Sequence, residues 1–142
     1  MDFLSTLQVS ASGLSAERTR LQTVSSNIAN AQTTRNADGT GPYKRKVPVF
    51  HATPLGESFG GLLGAKMAQP TVVDIVEDQT AGERLLDPTH PDADEDGFVE
   101  MPNVQVVTEM VDMVNASRAY EANVTAMSAT KNMALKALEI GK

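Results

Sequence analysis

A chain of 142 residues has single-domain length, and its 41 % hydrophobic content is that of a folded protein, yet aromatics make up only 4 % and Trp is absent. Large aromatic side chains supply much of the burial in monomeric cores, so Val, Leu, Met and Ala are expected to line helix seams rather than one thick core. The lack of cysteine excludes a disulfide framework, thiolate chemistry and Cys-based zinc sites, and a net charge of −6 speaks against nucleic acid, which requires a basic face.

The first predicted element is a helix from Asp2 or Ser5 to about Asn30. Leu7, Leu14, Leu21 and Ile28 recur every seven residues, with Leu4 and Ala11 at the companion spacing. The companion seam turns polar at Arg18 and Ser25, while Val24 and Ala31 shift the stripe sideways. This spacing predicts a coiled-coil-like helix with a narrow apolar stripe. Ser, Thr, Gln and Asn surround it, with few of the Glu/Lys pairs that support an exposed helix, so its stability must come from packing. No basic residue precedes Arg18, which is unlike a secretory signal peptide.

Proline and glycine then mark off the middle. All seven prolines fall between Pro42 and Pro102, and eight of the ten glycines between Gly39 and Gly97. The expected organisation is a helix over 1–34, a β-containing or irregular body over 35–100, and a second helix over 101–142. Lys46–Phe50 and Val72–Glu77 are predicted strands, the second with Val73, Ile75 and Glu77 on one face, and Phe98–Met101 is a third candidate. Between the first two, Leu55–Gly64 is Gly-rich and predicts flexibility. The longest apolar run, Phe59–Ala65, is interrupted by Gly and far below the ~20 residues of a membrane span.

Asp92, Asp94 and Asp96 followed by Gly97 imitate the start of a calcium loop, but Asn103 stands at the twelfth position instead of the bidentate Glu. Pro88, Pro91 and Pro102 also occupy the flanks where such a loop needs helices. An Asx-type turn with Gly97 at positive φ is the simpler expectation. His51 and His90 lack a third ligand at a recognisable spacing, so no metal or cofactor is expected.

The last helix is predicted from near Pro102, a residue favoured in a first turn, to about Ile140, with Gly141 as its stop. Val106, Met110, Met113, Ser117, Tyr120, Val124, Met127, Lys131, Ala134 and Leu138 follow steps of three and four. Val107, Val111, Val114 and Leu135 widen the apolar face beyond a two-helix seam. A helix over 50 Å long cannot be covered by the rest of so small a chain, so part of this face is expected to meet another chain. Five of the seven methionines lie in residues 101–142. Ordinary helix core accounts for them simply, and contact with several inequivalent partners is compatible with their adaptability.

Charge follows the same division. Residues 1–34 and 101–142 each sum to zero, and the surplus lies in 35–100, with twelve acids against six bases. Neutral ends can approach copies of themselves without strong repulsion. No nucleophile, P-loop or zinc-protease motif is present, and an enzyme is not expected.

Three stretches carry a family resemblance. Ser25-Ser26-Asn27-Ile28-Ala29-Asn30-Ala31-Gln32-Thr33-Thr34 resembles the signature that closes the first helix of bacterial flagellar rod and hook axial proteins. Gly41-Pro42-Tyr43-Lys44-Arg45-Lys46 and the segment from Asp87 to Val99 resemble the proximal-rod branch of that family. Pro102-Asn103-Val104, Glu109-Met110-Val111-Asp112-Met113 and Ser117-Arg118-Ala119-Tyr120-Glu121-Ala122-Asn123 are similar to its last helix. One departure is Gln32, where axial proteins often carry Asn.

The resemblance implies a structural subunit of the flagellar basal-body rod, the torque-transmitting shaft across the periplasm. It implies assembly with copies of itself, with other rod proteins and with the rod-base protein that joins the membrane ring. It also implies export by the flagellar type III apparatus without a cleaved signal. The expected fold is mainly α with a small β-containing insertion, its long N- and C-terminal helices pairing as a coiled coil around a Pro/Gly-rich middle domain. Candidate assembly and helix-packing residues are Leu7, Leu14, Leu21, Ile28, Asn27 and Asn30 on the first helix, and Val106, Met110, Met113, Tyr120, Val124, Met127 and Leu138 on the last. Asn27 and Asn30 are candidate caps for backbone groups at the helix end. The ends are expected to be partly unfolded in the monomer and to order on assembly. Two other classes fit the sequence: a calcium-responsive module using Asp92, Asp94 and Asp96, and a soluble secreted helical adaptor.

Overall fold

The computed structural model describes residues 3–36, 38–54 and 68–140. A 27-residue helix, α1 (Phe3–Ala29), leads into strands β1 (Lys46–Pro54), β2 (Ala68–Glu77), β3 (Arg84–Leu86) and β4 (Phe98–Glu100), and a 35-residue helix, α2 (Val106–Ile140), closes the chain. The Gly-rich stretch 55–64, the apolar run 59–65, the helix start at residue 2 and the stop at residue 141 lie outside the described residues.

Local chemistry sets the helix ends. The Asn30 amide donates to the Ser26 carbonyl at 3.1 Å and the Asn30 side-chain amide donates to the same oxygen at 2.9 Å. One residue thus satisfies a terminal carbonyl that the helix leaves without a partner. Helix α2 starts four residues later than Pro102 predicts, because Asn103 is committed elsewhere. Its Oδ1 accepts from the Arg45 amide at 2.7 Å, and its Nδ2 donates to the carbonyls of Asp78 and Thr80 at 3.1 and 3.0 Å. The helical ladder opens only with the Glu109 amide donating to the Gln105 carbonyl at 3.0 Å.

The helices pack side by side and antiparallel: Gly13 faces Asn123 and Asn27 bonds Glu109, so contacts step forward on α1 and backward on α2. Their buried positions are Ser10, Gly13, Ala16, Thr23, Val24 and Asn27 on α1 and Glu109, Ala116 and Thr130 on α2. These are mostly small or polar residues. A Cβ placed on Gly13 would lie 3.1 Å from the Asn123 side-chain nitrogen, which shows how near the two helices come.

A heptad-leucine coiled coil is therefore not what the fold contains. Leu7, Leu14, Leu21 and Ile28 are half-buried and lie beside the seam. A seven-residue repeat drifts by roughly 20° per heptad around a straight 3.6-residue helix, so the stripe cannot stay on one contact line unless the helices supercoil.

The middle is also more ordered than a small insertion in a Pro/Gly-rich body. Among the described residues it holds four strands in two antiparallel two-stranded sheets. In the longer one β1 pairs β2 from Lys46↔Glu77 to Pro54↔Ala68, with a bulge between Val49 and Phe50. Val47, Val49, Val72, Val73, Ile75 and Val76 are β-branched residues suited to a pleated surface. Pro48, Pro54 and Pro70 are tolerated because both strands of a two-stranded sheet are edges. Proline and glycine punctuate this region without preventing strands. Both strands pack on α1, and neither packs on α2 among the described residues, so α1 lies between the second helix and the hairpin.

The smaller sheet pairs β3 with β4, Arg84↔Glu100 to Leu86↔Phe98; β3 has too few residues to show an alternating pattern and was not expected. Gly82 lets it dock: a Cβ there would lie 1.7 Å from the Met101 carbonyl oxygen. Among the described residues the buried apolar side chains are Ala16, Val24, Tyr43, Val99, Pro102 and Ala116, which form no thick core.

Candidate functional site

The densest set of interactions lies where the end of α1, the entry to β1 and the start of α2 converge. Asn27 occupies its centre, 1 % exposed. Its Oδ1 accepts from the Lys46 amide at 2.9 Å and from the Tyr43 hydroxyl at 3.0 Å, while its Nδ2 donates to the Lys46 carbonyl and to Glu109 Oε2, both at 2.9 Å. That uses the two donors and two acceptor lone pairs of a carboxamide. Three chain segments are thereby fixed to one side chain.

Glu109 is fully buried, and a buried carboxylate is tolerable only when paired and hydrogen-bonded. Arg45 Nε meets its Oε1 at 2.6 Å, and Asn27 supplies the other oxygen. Arg45 also reaches Asp112 Oδ2 at 3.8 Å, and Arg20 from α1 meets Asp112 Oδ1 at 3.2 Å. Glu17 lies 4.0 Å from Arg20. Acids and bases thus alternate from α1 across α2 to the root of β1. Lys46 extends over the Tyr43 ring, 5.7 Å from its centroid, a cation–π contact.

An open cleft of about 430 Å³ lies beside this clasp, lined among others by Arg45, Asp78, Thr80, Asn103 and Glu109. The Asp78 carboxylate accepts from the Thr80 hydroxyl at 2.6 Å and from its amide at 2.9 Å. These bonds, the hydroxyl first, hold its pKa below the usual carboxylate value of 3.8. Asp87 is lowered likewise by the Thr89 hydroxyl and amide.

The acidic run before Gly97 is organised as a turn. Thr34 donates to Asp92 at 2.8 Å, Arg35 pairs with it at 3.5 Å, and Arg84 pairs with Asp94 at 3.1 Å. Gly97 has φ 77°, and its amide donates to the Asp94 carbonyl at 2.8 Å. Asp92 therefore ties the loop after α1 to the loop before β4. Among the described residues no group of three or more His, Asp or Glu could hold a metal ion, and no helix is long and apolar enough to cross a membrane.

Of the candidate assembly residues, the structure gathers Asn27 into the clasp and places Asn30 at the helix end. Met113 and Met127 are half-buried, while Val106, Met110, Tyr120, Val124 and Leu138 are exposed. Glu109, Arg45, Asp112, Arg20, Tyr43 and Asn103 were not among those candidates. A signal for Glu109 was available: it is the one acid within the apolar stretch Val106–Val111.

Two family models match the chain, "Flagella basal body rod protein" over residues 7–35 and "Flagellar basal body rod FlgEFG protein C-terminal" over residues 95–140. The first covers α1 from Leu7 onward and the second covers α2 with its lead-in. The flagellar basal-body rod protein FlgC of Bacillus subtilis strain 168 is 47 % identical over 96 % of both chains. The chain belongs to the FlgC family of flagellar basal-body rod proteins. FlgC of Borreliella burgdorferi is 40 % identical over 99 % of this chain and 98 % of its own, and FlgC of Escherichia coli O157:H7 is 39 % identical over the whole of both. FlgC proteins are structural, so this chain is a non-enzymatic subunit of the basal-body rod and assembles with other flagellar components. In this FlgC-family chain the clasp joins α1, the root of β1 and the start of α2.

Proposed function

We propose that the chain polymerises through α1 and α2, with copies of itself and with other rod proteins, into the proximal part of the torque-transmitting shaft. In this reading residues 1–34 and 101–142 form the inner wall, 35–100 stand outside it, and the clasp makes the two move as one. The observation that carries this is Glu109, a fully buried carboxylate bonded at once to Asn27 of α1 and to Arg45 at the root of β1. A shaft loses torque wherever an outer element can swivel on an inner one, and a three-way buried bond removes that freedom.

Placement across the periplasm, contact with the rod-base protein of the membrane ring and export by the flagellar type III apparatus belong to the same reading. A thin buried core and small helix seam support ends that order on assembly, since apolar burial supplies most folding free energy. Basal bodies from cells lacking the chain test the reading: rods should be missing or truncated, and complete rods would overturn it. Restoring the chain as Glu109→Ala should return fewer intact rods than restoring it unaltered.

A further inference from the structure

On the side of α2 away from its seam, Val107, Met110, Val111 and Val114 are exposed, Val107 by 76 %. Their spacing of i, i+3, i+4 and i+7 marks one helix face, and Arg118 and Glu121 end the apolar run in the next turn. At its other end α2 outruns α1. Ten residues back from Gly13 is Phe3, and ten residues on from its neighbour Asn123 is Met133. Beyond Met133 the last turns of α2 continue past the described end of α1. There Met133, Leu135 and Leu138 are exposed, Leu138 by 71 %.

We propose that the Val107–Val114 stripe of one copy receives the Met133–Leu138 end of the next copy's α2. The inference rests on the reading that copies polymerise through their terminal helices, and it names the two surfaces that meet. The patches lie on one continuous helix, 24 residues from Val111 to Leu135, which is about 36 Å at 1.5 Å per residue. They cannot meet within a chain. A contact between two unlike patches is heterologous and repeats openly wherever the rotation between copies does not close a ring, whereas either patch pairing with itself would close a dimer. Growth of a rod needs the open kind. Charge permits the approach, because residues 101–142 carry four acids and four bases. Lys131, Lys136 and Glu139 flank the apolar end, and Asp112, Arg118 and Glu121 border the stripe.

The chain has no cysteine, so introduced thiols report without background. The full chain carrying Val111→Cys and Leu135→Cys is incorporated into basal bodies and treated with a short bismaleimide. Covalent multimers of three and more copies are expected from this pair and from Val107→Cys with Leu138→Cys. Each single-site variant is expected to give none. Dimers from Val111→Cys alone would overturn the proposal in favour of self-pairing. So would absence of multimers from both pairs in preparations where the single-site variants are present. If the unaltered chain is missing from basal bodies, the polymerisation reading itself fails.

Discussion

Asn27 and Glu109 stand 82 residues apart in the chain and meet through a 2.9 Å bond from the Asn27 side-chain amide to Glu109 Oε2, both groups buried. The bond joins the last turn of α1 to the first turn of α2. Arg45 and Lys46, bonded to the same two side chains, bring in the root of the hairpin.

Removing Glu109 leaves the Asn27 amide without its acceptor and Arg45 without its nearest carboxylate. Breaking a buried pair by deleting one partner costs about 3–5 kcal/mol. Glu109→Ala should lower stability by about that amount, and Glu109→Gln, which keeps an acceptor, by less. Urea unfolding followed by far-UV circular dichroism measures both. Equal loss for the two variants would show that charge, rather than hydrogen bonding, holds the clasp.

Gly13 permits the helix approach at Asn123. A leucine there has no room, and Gly13→Leu should destabilise by about 1–3 kcal/mol, the range for overpacking. Gly13→Ala sets a helix-propensity gain of about 1 kcal/mol against a 3.1 Å contact, so its effect should be small. Adding Asn123→Ala relieves that contact and should make Gly13→Ala stabilising. Thermal unfolding of the four chains in a double-mutant cycle reads the coupling.

Gly82 is less forgiving, because the atom facing its missing Cβ is a backbone oxygen 1.7 Å away. Gly82→Ala must separate the segment before β3 from the lead-in to α2, breaking the bond from the Met101 amide to the Glu83 carbonyl. Amide hydrogen exchange at Met101 should speed up at least tenfold, while amides in the centre of α1 keep their protection.

The Asp78 and Asp87 carboxyls should titrate below the ordinary 3.8. A group with a depressed folded pKa stabilises the fold above its unfolded pKa, and the contribution disappears as pH falls through the folded value. The segments after β2 and after β3 should therefore loosen only below about pH 4. Carbon-detected NMR titration checks this, and Thr80→Val should return Asp78 towards its ordinary midpoint.

Glu121 and Glu139 show how little charge alone determines in this chain, since the same residue type at 109 is buried and both of these are exposed. Two long helices were legible because Pro and Gly are nearly absent from the ends, and backbone hydrogen bonding then favours helix over most of each. Lys46–Phe50 and Val72–Glu77 were legible from β-branched residues; the hairpin extends further, to Pro54 and Ala68, because cross-strand pairing recruits residues whose own preference is weak. The family was legible in the Asn-Ile-Ala-Asn signature and the Asp87–Val99 segment.

What tertiary structure decided was the meaning of individual side chains. Leucines at seven-residue intervals are half-buried beside the helix seam, because the closest approach of two helices is set by their smallest residues, Gly13, Ala16 and Ala116. Asn27 is more than a helix cap, because its four bonding sites are filled from segments that only folding brings together. Local preference and composition are properties of the chain as written. The pairing of Glu109 with Arg45 is a property of distance in space, set once both helices and the hairpin have packed.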